Sequence, residues 1–200
     1  MNLNTDLLNE LSELFVNDLR ASQYYLQLSS DERTNLEQRL ARDAARGGRP
    51  LLPGALPEDI ERTEQAAQDE LGIDLPAELR DIFTEVDGFS ENGVSLFGTD
   101  QILPDEQAYG PTIVAENLSV WSVMPETARK YLFIGDSDLW YFVFDLGAKQ
   151  YVVLSRVTLS PVHVRASAAD MVNDMLNQAL QIDADADNDS TRVPDNAVDR

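Results

Sequence analysis

The stretch from Tyr131 to Gly147, YLFIGDSDLWYFVFDLG, decides how this chain is read. Two apolar runs flank a polar insert, Gly135-Asp136-Ser137-Asp138. The second run, LWYFVF, is apolar at every position. A strand with one wet face alternates apolar and polar residues, so an unbroken run predicts a central strand covered on both sides. The insert then reads as the turn between two antiparallel strands, because Gly and Asp tolerate the backbone angles of a turn.

The insert carries a second possible meaning. Gly-Asp-Ser after a buried strand is how one class of serine hydrolases presents its nucleophile, and such a serine needs a base. The chain has one histidine, His163, in SPVHVRAS. Those hydrolases place an Asp three residues before the histidine, and here that position is Ser160. Their nucleophile also lies near the N-terminus, whereas Ser137 is two-thirds of the way along. No catalytic residue is assigned, and the chain is read as a non-enzyme.

Working outward, further short apolar runs occur at Val94–Phe97, Thr112–Ala115, Val120–Met124, Tyr151–Leu154 and Val162–Val164. Gly, Pro, Asn and Asp punctuate them, which is the signature of strands and hairpins. Helical spacing governs the rest. Leu7, Leu8, Leu11, Leu14, Phe15 and Leu19 share a face, and Asn4 or Thr5 can cap that helix. Ser29 and Glu32 fit a capping box for a second helix. Pro57 suits the first turn of a third, ended by Gly72, and Pro76 opens a fourth, ended near Gly88. A last helix begins at Ser167, with Met171, Val172, Met175, Leu176 and Ala179 inward. Helices, then strands, then a helix is an α+β order. The expected fold is a mixed or antiparallel sheet of about six strands with helices packed on it. The segment GGRPLLPGALP reads as a flexible linker. It separates a helical N-terminal extension, residues 1–50, from an α+β domain, residues 55–181. Residues 182–200 read as an acidic disordered tail.

Charge bounds the partners. The 36 acidic and 15 basic residues give −21, and the acids are unevenly placed. Residues 58–106 hold 15 acids against Arg62 and Arg80 alone. Such a surface repels nucleic acid, whose affinity comes from phosphate neutralisation by Lys and Arg, and disfavours anionic membrane. It attracts a basic protein. There is no cysteine, hence no disulfide and no thiolate metal site. Acid pairs such as Glu85/Asp87 and Asp136/Asp138 are expected by chance at this composition. The tail sequence DADADND lacks the Gly and Glu of a calcium loop. No metal or cofactor is expected. The N-terminus, MNLNTDLLNELSELF, has no basic region followed by an apolar stretch, so a signal peptide is not expected and the cytoplasm is the default compartment.

Three stretches carry a family resemblance: IERTEQAAQDELGIDLPAELRDIFTEVDGF, YLFIGDSDLWYFVFDLG and VHVRASAADMVNDML. In order and spacing they resemble the SUKH superfamily of bacterial immunity proteins, in particular its YrhA-like branch. The matching positions are Gly72, Leu75-Pro76, Asp87-Gly88, Ile134-Gly135, Asp145 with Gly147, and Ala166-Ser167 through Met171-Val172. DGF stands where that family more often has NGG, and residues 1–50 have no counterpart in it. The resemblance implies a SUKH-like fold and a binding protein that neutralises a cognate toxin domain, often a nuclease or another cytosolic enzyme. The alternative is a non-catalytic intracellular regulatory scaffold of the same fold. The positions that match are structural and do not locate the interface. Acidic side chains can occupy a phosphate-binding cleft as substrate mimics. The residues predicted to bind the partner are therefore Glu85, Asp87 and Glu91 after the fourth helix, and Asp136, Asp138 and Trp140 around the hairpin.

Overall fold

The structure, a computed structural model, describes residues 2–46, 48–100, 110–124 and 126–182. Three helices open the chain: α1 (Thr5–Ala21), the short α2 (Gln23–Gln27) and α3 (Ser30–Ala45). Two more follow, α4 (Pro57–Ala66), prolonged by a wider turn over Ala67–Leu71, and α5 (Ala77–Glu85). The strands are β1 (Phe89–Glu91), β2 (Val94–Leu96), β3 (Tyr131–Ser137), β4 (Trp140–Asp145), β5 (Gln150–Ser155) and β6 (Pro161–Arg165). Helix α6 (Ile113–Val123) lies between β2 and β3, and α7 (Ala168–Ala179) closes the fold. The six strands form one sheet in sequential order, each antiparallel to the next. The architecture is the expected α+β one.

Strand β4 is interior to the sheet, as its composition demands. Phe142 pairs with Gly135 and Val153 on one face, while Val143 pairs with Phe133 and Val152 on the other, and both side chains are fully buried. Helix α7 covers the first face, where a Cβ on Gly135 would lie 2.5 Å from Met175 Cε and 2.2 Å from the Ser95 carbonyl oxygen. Only glycine permits that approach. Gly135 therefore sits inside β3, beside a bulge after Phe133, and the turn shrinks to Asp138-Leu139. The turn expected from the sequence alone, Gly135–Asp138, is thus longer than the one the strands leave.

Helix α6 replaces the two strands expected at Thr112–Ala115 and Val120–Met124. Its inward residues are Ile113, Val114, Asn117, Val120 and Trp121, which is helical spacing with a polar residue at its centre. Asn117 hides that stripe from a hydrophobicity reading, and the β-branched runs on either side imitate strands. The structure gives Asn117 a reason to be there. Strand β2 pairs with β3 only from Gly135 onward, and Phe97 N–H adds one bond to the Ile134 carbonyl. Phe133 is left with an open edge. Asn117, fully buried, accepts from Phe133 N–H at 2.8 Å and donates to the Phe133 carbonyl at 2.7 Å, and also to Ile113 O at 2.7 Å. Trp121 Nε1 donates to the Tyr131 carbonyl at 3.1 Å. The helix thus continues the ladder with side chains where a strand would use backbone.

The Pro- and Gly-rich segment is not a free tether. Leu52 is buried, Pro50 O accepts from the Ser12 hydroxyl at 2.8 Å, Ala55 N–H donates to Phe83 O and Asp87 N–H to Pro53 O. Leu8 and Leu11 of α1 belong to the same core as the sheet. Asn173 of α7 binds both Asn4 N–H and Asn2 O. Helix α1 is thereby packed on α7. The acidic tail lies, from residue 183 on, outside the described residues.

Asn117→Ala leaves two buried backbone groups unpaired at about 1–3 kcal/mol each, so a loss of about 2–4 kcal/mol is expected in urea unfolding. Gly135→Ala is expected to cost about 1–3 kcal/mol by overpacking. Losses under about 0.5 kcal/mol would contradict these roles.

Candidate functional site

The six residues predicted to bind a partner fall in three places. Glu85 ends α5, where its carboxylate binds Arg49 Nη2 at 3.0 Å, and the same guanidinium reaches the Glu85 carbonyl. Asp87 accepts from Thr99 N–H at 2.7 Å and Thr99 Oγ1 at 2.9 Å, which fastens the segment after β2 to the α5–β1 corner. Both acids hold the protein's own loops. Glu91 is not in a loop but in β1, paired with Val94 beside the tight Asn92-Gly93 turn. Both turn residues have positive φ (48° and 74°), as a two-residue hairpin requires. That turn lies against the β3–β4 turn, with Gly93 next to the Asp138 carboxylate. So Glu91 and Asp138 share one end of the sheet, away from Glu85 and Asp87.

Asp136, Asp138 and Trp140 do not form one patch. Asp136 pairs with Tyr141 and so lies on the sheet face away from α7. Arg156 Nη1 binds its carboxylate at 3.0 Å and donates to Ser137 O at 2.8 Å, with the guanidinium over the Tyr141 ring at 5.0 Å. Burial pushes the Asp136 carboxyl above its ordinary range, Arg156 pulls it back, and Asp138 adds to the rise. Glu116 of α6 is also raised, first by burial and then by Asp136. Nothing in the sequence singles out this second half-buried acid, because the apolar runs on either side of it imitate strands.

Trp140 lies on the opposite face, in register with Ser155, and is half-buried. It lines a groove of about 590 Å³ between the sheet and the C-terminal half of α7. Asp138, Asn92, His163, Asn177 and Gln178 also line it. Asp138 is exposed and has no hydrogen-bond or ion-pair partner among the described residues. The groove residues on β6 and α7 could not be found from the sequence. Their proximity to Trp140 follows from the sheet order and from how α7 crosses it.

Ser137 also faces this groove, with His163 on its far side. Three strand spacings separate β3 from β6, about 14 Å at ~4.8 Å each. That is far beyond proton-transfer distance. The Ser137 hydroxyl instead accepts from Trp140 N–H at 3.2 Å and so shapes the turn. Among the described residues no group of three or more His, Cys, Asp or Glu side chains is placed to hold a metal ion. No described helix is long and apolar enough to cross a membrane. Comparison with protein-family models, with curated proteins and with solved structures gave no match.

A raised folded pKa means that the folded state takes up the proton first. Burial of the charge thus opposes stability at neutral pH, and that opposition fades as pH falls toward 3.8. A carboxyl-carbon titration should place the Asp136 midpoint above 3.8, and Arg156→Gln should move it higher still. A midpoint at or below the ordinary value would contradict the burial argument.

Proposed function

We propose that this chain is a non-catalytic immunity protein that binds and neutralises a cognate toxin domain, a basic enzyme such as a nuclease, in the cytoplasm. The observation that carries the reading is the uncompensated acid excess. Arg20, Arg49, Arg62, Arg80, Arg156 and Arg165 are each committed to an internal acid. Six of the chain's 15 cations are thus spent within the fold, while the net charge remains −21. A field of that size accelerates encounter with a basic partner and rejects nucleic acid. The resemblance of residues 57–180 to the SUKH superfamily supports the same reading. So does the distance between Ser137 and His163, which leaves that serine without its base.

Co-expression tests the proposal. The protein should rescue cells from the toxin encoded beside it and co-purify with that toxin. Failure of both refutes the immunity reading. The association rate should fall about tenfold or more as salt rises from about 0.05 to about 0.5 M, because screening removes steering. A rate indifferent to salt would show that charge does not guide the encounter.

A further inference from the structure

We infer that the groove beside α7 is an arginine-binding pocket, in which a partner's guanidinium side chain lies against Trp140 and pairs with Asp138. The inference rests on the binding-protein reading above and gives it a location.

Among the described residues three aromatic rings already carry a cation of the chain itself: Arg33 over Tyr25 at 5.1 Å, Lys130 over Tyr131 at 4.6 Å and Arg156 over Tyr141 at 5.0 Å. Trp140 has none among the described residues, although indole is the strongest of these partners for a cation. The other tryptophan, Trp121, is committed through its Nε1 to the Tyr131 carbonyl. Trp140 is thus an unused aromatic in a groove, and the carboxylate beside it is unused as well.

The other groove charges do not compete for the site. Arg165 and Asp174 are bonded to each other and cancel. Asn92 Nδ2 is bound to the Ala179 carbonyl at 2.6 Å, which holds the β1–β2 turn against the end of α7. The end of a helix carries partial negative charge, so the groove floor also favours a cation. At the rim, Leu139 and Ile182 are large apolar residues left 63% and 43% exposed, which suits the methylene stem of a long side chain. Arginine matches these features better than lysine. Its planar guanidinium stacks on indole while its edge donates to a carboxylate, and it is more weakly hydrated. An aromatic and a desolvated charge pair in a pocket are the usual centre of an interface.

The test uses the full-length protein and a fluorescein-labelled hexa-arginine peptide, followed by anisotropy at low salt. Hexa-citrulline, of the same shape without charge, is the control. Trp140→Ala is expected to weaken binding about three- to thirtyfold and Asp138→Asn about threefold. Glu10→Gln, an equal loss of charge at an exposed position of α1, should change it little. Because Trp140→Ala can disturb the fold, the wild-type indole N–H resonances give a second measure. Saturating hexa-arginine should move that of Trp140 and leave that of Trp121 in place. Equal weakening by Asp138→Asn and Glu10→Gln, with the Trp140 resonance still, would overturn the pocket in favour of diffuse attraction. Absence of hexa-arginine binding, or equal binding of hexa-citrulline, would overturn it too. Rescue from the toxin is independent of either result, so a failed pocket and a failed function remain distinguishable.

Discussion

The two backbone groups of Phe133 impose the constraint on which this fold turns. Both sit in the core, and β2 is too short to reach them. An unpaired buried N–H or C=O costs about as much as a lost hydrogen bond, so the edge must be answered by something. Asn117 answers it with one amide group that accepts and donates as a neighbouring peptide would. This fixes α6 against β3 in one rotation and one axial position. It also places Glu116 beside Asp136 on the same sheet face. Burial is the first cause of the raised pKa at both acids.

The sheet divides its two faces between different tasks. On the face away from α7, Arg156 pairs with Asp136 and lies over the Tyr141 ring, so the charges there are satisfied within the fold. The α7 face is filled at Gly135 and Phe142 and open toward Trp140. This follows from geometry at Gly135. Met175 of α7 packs where no Cβ stands on β3, and the C-terminal end of the helix borders a groove. Asp138 and Trp140, two residues apart in sequence, meet at the mouth of that groove.

Charge acts at two ranges. The net −21 works over a Debye length and sets which partners approach. Local pairs work within hydrogen-bond distance and mostly serve the chain itself, as Glu85 with Arg49 and Asp87 with Thr99 show. An acid that is conspicuous in the sequence can therefore be invisible to a partner.

Much of the fold was legible in residues 131–182. The all-apolar β4, the Ser29–Glu32 and Ser167 caps and the inward stripe of α7 are local patterns that only one element satisfies. The sequence by itself determined the α+β order, the interior position of β4, the acidic field and the absence of cysteine chemistry. Tertiary structure alone decided the rest. Residues 112–124 became a helix because an open strand edge needed Asn117, a demand that arises only once β2 and β3 have paired. The Pro-rich segment became anchored because Leu52 found a core to enter. Asp136 and Trp140 separated because a sheet sends side chains to opposite faces and strand register sets which face each takes, while Glu85 and Asp87 lie outside the strands. Periodicity and composition are properties of short windows. Edges, faces and grooves belong to strands brought together from far apart in the chain.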